Sequence, residues 1–257
     1  MTDPLPAPAQ TMSAAITSYR GYVNGKLDTL TGQVLTLKAS IGNNDLDAAR
    51  RQWLDAQLTW QRVGAAYDSF AELGDAINGL PNGLPKGTAD PGFTGLHRIE
   101  FGLYHGQGPG QLAPVAATLL TDIDKLRGQL NALTMDGSEL PIRCHEILED
   151  SLRDNLSGNN DQGSGMALAL TAADVDGTRV VLTVLSAIID RLHAGYAATL
   201  STALDRVATA LAATRVDGEW PHYQATALSV RQPVTGSLGA ALELLAYVPA
   251  LFSSDDD

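Results

Sequence analysis

The stretch MSAAITSYRGYVNGKLDTLTGQVLTLKAS, residues 12–40, decides the fold. Its apolar residues Ile16, Tyr19, Val23, Leu27, Leu30, Val34 and Leu37 step by three or four, which gathers them on one face of an α-helix. Gly42-Asn43-Asn44-Asp45 stops that helix and offers a cap for the next. The period returns over 46–70 in Trp53, Leu54, Leu58, Trp60, Val63 and Tyr67. Further helices are expected over 94–104, 112–133, 139–156, 167–192, 196–216 and 236–251. Alternating β-branched runs are absent. Helices of these lengths with short connections predict an all-α protein of two packed antiparallel bundles.

Working outward, residues 1–11 read as a flexible lead, 12–135 as a first bundle, 136–252 as a second and 253–257 as an acidic tail. Pro81, Pro85 and Pro91 alternate with glycines over 74–95, and a loop of that length in a compact fold is usually functional or mobile. A second glycine-rich loop covers 157–165.

Lys and Arg total 17 against 29 Asp and Glu, a net charge of −12. Such a surface repels phosphate and excludes sequence-independent nucleic-acid binding; cations are its natural company. The single cysteine, Cys144, rules out an internal disulfide and a cysteine-rich zinc site. No uninterrupted apolar run reaches the length of a membrane span, and Met1–Gln10 has neither the basic nor the apolar part of a secretion signal.

The sharpest local feature is His97-Arg98-Ile99-Glu100, opening a helix after a Pro/Gly loop. Residues three apart share a helix face, and imidazole with carboxylate suits first-row metals. An ordinary buried His–Glu hydrogen bond fits the same spacing. Cys144 with His145 and Glu149 is a second candidate, but adjacent residues diverge by about 100° on a helix, which favours a buried thiol and a surface His145–Glu149 pair. Asp174 is open between ligand and structure, and Gly177 reads as a close-packing point. His193, Trp220, His222 and Tyr223 read as packing and capping groups near helix ends. No catalytic triad, phosphate loop or paired-carboxylate motif stands out.

Phe93-Thr94-Gly95-Leu96-His97-Arg98-Ile99-Glu100-Phe101-Gly102-Leu103-Tyr104 closely resembles the signature of the imelysin-like family, nearest its EfeO/EfeM-type branch of bacterial iron-uptake proteins. Ser18–Val23, Asn44–Trp53 and Asp174–Gly177 resemble its flanking segments, so the likeness covers residues 18–251. The resemblance implies an exported all-α module of two antiparallel four-helix bundles, periplasmic or at the cell surface, with any leader lying outside these residues; a cytoplasmic location is the alternative. It implies a protein that binds a metal ion or small polar ligand and works with other iron-uptake components, and the residues, which show no catalytic motif, make a non-catalytic protein the expectation. His97 and Glu100 are the implied metal ligands, and Gln61, Asn78 and Asp161 the implied binding rim.

This sequence departs from the family pattern where acids are expected. Gln61 and Gly64 replace two carboxylates of the second helix, Asn78 replaces another, and Gly158-Asn159-Asn160-Asp161 is poorer in acids than the family loop. Hard cations need anionic oxygens, so iron or another di- or trivalent metal is expected to bind weakly. The competing readings are an interaction scaffold that keeps the fold with a decayed site and, with least support, a zinc-dependent hydrolase matching the family's nominal metallopeptidase label.

Overall fold

The computed structural model describes residues 5–66, 70, 72–130 and 138–253. Tyr67, the 131–137 part of the expected bundle boundary and most of the acidic tail lie outside them. The deciding stretch is helix α1, Met12–Gly42, capped by Thr11, whose hydroxyl accepts the Ala14 N–H at 3.2 Å. Tyr19, Val23, Leu27, Leu30, Val34 and Leu37 are all buried, as their spacing requires. The Asp45 carboxylate caps α2, Leu46–Gln61, by accepting the Ala48 N–H at 3.0 Å.

Nine residues before its expected end, α2 gives way to a tight 3₁₀ turn over Gly64–Ala66. The expected irregular stretch then begins with a short helix, α3, Glu72–Asn78. Helix α4, Gly95–Tyr104, carries the His-x-x-Glu pair. It is followed by α5, Pro109–Gln129, with proline in its first turn, where a missing N–H costs nothing. Helices α1, α2, α4 and α5 pack on one another as the first bundle.

The second bundle comprises α6, Glu139–Asp150; α7, Ala167–Leu192; α8, Tyr196–Ala212; and α9, Leu228–Leu245, with a short α10, Val248–Ser253, against α6. Helix α9 begins eight residues earlier than expected, because Pro233 sits inside its early turns instead of ahead of them. Among the described residues no strand forms; Val216 and Glu219 make one isolated bridge that closes a turn.

Leu228–Ser253 is long and apolar enough, by length and composition, to cross a membrane. Arg231, Gln232 and Glu243 interrupt it, so the expectation that no uninterrupted apolar run reaches that length stands. In this fold the segment breaks at Ala246–Tyr247 and buries Val234, Leu238, Ala241 and Leu245 in the core.

Helix α7 joins the bundles, touching α1 and α2 as well as α6 and α8. The Arg62 guanidinium donates twice to Asp176 Oδ2, each at 3.1 Å. A Cβ on Gly177 would lie 3.1 Å from the Arg62 carbonyl oxygen, so this glycine is the close-packing point its neighbours suggested. The lead segment is docked where described: Ala9 is buried and its N–H donates to the Val184 carbonyl at 3.0 Å.

Candidate functional site

Three contacts set where α4 begins. Gly95 adopts φ +75°, and a Cβ there would stand 2.1 Å from the Ile77 carbonyl oxygen, so only glycine lets α4 start against α3. The Thr94 hydroxyl donates to the Ala76 carbonyl at 2.9 Å. The Trp53 indole N–H donates to the Leu96 carbonyl at 2.9 Å, tying α4 to α2. One turn into this clamped helix, His97 and Glu100 are both almost fully buried, with His97 Nδ1 2.9 Å from Glu100 Oε2.

Glu100 is held from the other bundle as well. Its Oε1 accepts the N–H groups of Gln162 and Ser164, at 3.1 and 3.2 Å, and the Ser164 hydroxyl at 2.6 Å. A buried carboxylate needs such donors to offset its lost hydration. Both oxygens are therefore engaged. With Nδ1 directed at a carboxylate, the His97 ring is oriented as binding histidines are, and in its neutral form Nε2 is the acceptor.

His97 lines a cavity of about 210 Å³ between the bundles, with Gln61 and Asn78 from the first and Ser151, Asn155 and Asn160 from the second. Helix α6 runs into a single π-type turn, Ser151–Asn155, at the cavity wall; such turns recur at functional sites. Here it brings Ser151 and Asn155 onto one buried carboxyl. Asp174 Oδ2 accepts the Ser151 hydroxyl at 2.8 Å and Asn155 Nδ2 at 2.7 Å. Burial pushes the Asp174 carboxyl well above its ordinary range, against the opposing pull of those two donors. Asn155 Oδ1 in turn accepts Asn160 Nδ2.

The structure thus brings Gln61, Asn78 and His97 to one cavity, while Glu100 stands behind His97. Asp161 stays in the 157–165 loop, where its Oδ1 accepts the Gly163 and Gly165 amides at 3.0 and 2.9 Å. Burial would raise its carboxyl, but those amides outweigh it and hold the group below its ordinary range. Sequence reasoning gave no role to Ser151, Asn155, Asp150 or Asp154, all of which line the cavity. A π-type turn has no period or motif that would have announced them; the apolar setting of Asp174 was the available clue.

The second candidate separates as helix geometry requires. Cys144 is fully buried, its thiol pushed up by burial, while His145 and Glu149 form a half-exposed pair at 3.3 Å. Arg215 stacks over Trp220 at 4.1 Å, and Tyr223 donates its N–H to the Gly165 carbonyl at 2.8 Å, so these residues pack and pin loops.

Iron binding through direct bonds asks for several anionic oxygens on one ion. The cavity wall instead offers one imidazole nitrogen and neutral amides beside carboxylates that are already engaged. Among the described residues no group of three or more His, Cys, Asp or Glu is placed to hold an ion. The residues present do not fit such a site.

The imelysin family model matches residues 15–232. The chain is also similar to the iron uptake system component EfeO of Escherichia coli (strain K12) and to that of Shigella flexneri, 22% identical to each over 244 residues. The matched region is 95% of this chain and 65% of each relative, so the chain spans less than two thirds of their length.

Proposed function

This chain belongs to the imelysin family, and from that premise we propose that it is a non-catalytic binding component associated with iron uptake, working outside the cytoplasm beside other uptake components. The cavity around His97 is its recognition site: His97 Nε2 meets the ligand, Glu100 positions the ring, and Gln61 and Asn78 form part of the wall. The observation that carries this reading is the 2.9 Å His97–Glu100 contact at the cavity between the bundles, with Glu100 gripped by the 157–165 loop. The relatives' printed role supports the uptake context. Hydrolysis has no such support, since a zinc peptidase needs a ligand set that leaves an open water position beside a general base.

The test is complementation under iron limitation. Deleting the gene should slow growth, the wild-type chain should restore it, and His97→Ala should not. Full rescue by His97→Ala would remove the cavity from the function. A deletion without an iron-dependent phenotype would remove the uptake association.

A further inference from the structure

The hydrogen-bond accounting of the cavity selects a ligand class. Asn155 donates both hydrogens of its Nδ2, to Ser151 Oγ at 3.1 Å and to Asp174 Oδ2 at 2.7 Å. Its Oδ1 must therefore accept, and the donor it meets is Asn160 Nδ2. That fixes the Asn160 amide: its Oδ1 is the atom left over. Asn160 is 7% exposed, and Oδ1 is buried without a donor. Asn78 Oδ1 is likewise buried without a donor. Both residues line the cavity. A buried carbonyl oxygen without a donor costs about 1–3 kcal/mol, so two in one cavity mark a place where a donor belongs.

Other parts of the wall ask for the same. His97, with Nδ1 committed to Glu100, presents an acceptor at Nε2. The Ser151 hydroxyl is spent on Asp174, and Arg143 is ion-paired with Glu146. Asp150 and Asp154 add two half-buried carboxylates, bridged by the exposed Arg153 at 2.8 and 2.7 Å. Leu80 and Ile147 supply an apolar part of the lining. A bare metal ion lacks its anionic donors here, as shown above, and a hydrated one would leave the apolar wall unused. A protonated amine on a short carbon stem satisfies both: its N–H groups meet the acceptors and its methylenes meet Leu80 and Ile147.

We propose that the cavity binds a small primary ammonium compound, with Asn160 Oδ1, Asn78 Oδ1 and His97 Nε2 accepting its N–H groups. This rests on the cavity being the recognition site. Complementation reads the role of the cavity whatever fills it, so the two ideas fail separately.

The experiment is calorimetric titration of the full chain with 1,4-diaminobutane, with 1-butanol, and with magnesium and anaerobic ferrous ions. The expected result is saturable binding of the diamine, none of the alcohol, and affinity lowered about tenfold or more by Asn160→Ala and by Asn78→Ala, as loss of a hydrogen bond to a charged donor predicts. Asn78 Oδ1 accepts from no other described residue, so Asn78→Ala reports on the ligand even if Asn160→Ala unsettles the buried network. Absence of diamine binding overturns the inference. So does equal binding of 1-butanol, unchanged affinity in the Asn78 variant, or saturation by either metal ion in place of the diamine.

Discussion

Two helices of this protein each carry a histidine and a glutamate on one face, with opposite outcomes. On α4, His97 and Glu100 are 3% and 1% exposed and 2.9 Å apart; on α6, His145 and Glu149 are 27% and 55% exposed and 3.3 Å apart. Spacing along the helix does not distinguish them in kind. What does is the company: Glu100 receives three further donors from a loop 62 to 64 residues away, whereas the pair on α6 stands at the surface. A pair becomes a site when distant chain completes its hydrogen bonding and walls it off from water.

Glu100→Ala should show the largest effect. It strands the His97 ring, a serine hydroxyl and two amides in a buried setting, and should cost about 3–5 kcal/mol in chemical denaturation. A loss below about 1 kcal/mol would erase the contrast with the surface pair.

Gly95→Ala should follow closely. The methyl would collide with the Ile77 carbonyl and strain a left-handed residue, moving α4 or costing about 2–3 kcal/mol. Thermal unfolding of this variant beside Gly25→Ala, where a Cβ meets nothing within 4 Å, checks whether the close approach holds the buried pair in place.

Asp174→Asn sharpens the comparison through pH. The Asp174 carboxyl is raised in the folded protein, so the folded state holds its proton more tightly than the unfolded chain. Its stabilising contribution is complete below the ordinary value of 3.8 and is lost as pH rises from there through the raised value. Wild type should therefore lose stability relative to Asp174→Asn as pH rises above about 4. A wild type that gained stability relative to Asp174→Asn as pH rises would reverse the assignment.

His145→Ala should be the smallest perturbation, within about 0.5 kcal/mol, because an exposed pair contributes little.

The same contrast explains what the sequence could reveal. The 3–4 spacing of Tyr19, Val23, Leu27 and Leu30 was legible because periodicity is local, and so was the proximity of His97 to Glu100. Thr94-Gly95 marked a helix start, although the carbonyl that requires glycine belongs to α3, which no sequence signal announced. The end of α2 was misplaced because its apolar period continues into Val63 while the backbone tightens beneath α6. The cavity wall was least legible: Asn160 and Asp174 lie in segments that resemble the family's, but the chain of hydrogen bonds that joins them runs through Asn155, which carries no motif.

The grip of Gln162 and Ser164 on Glu100 also bears on how the chain is made. Synthesis runs from the amino terminus, so the glutamate emerges more than sixty residues before the amides that complete it. Until that loop arrives, the first bundle holds a carboxylate with one oxygen still turned to water, and its helices have reason to stay loosely closed there. Contacts of such separation form late in folding. Maturation of the pocket is therefore a closing step, and a nascent chain stalled before residue 160 would carry the histidine and glutamate without a finished binding place.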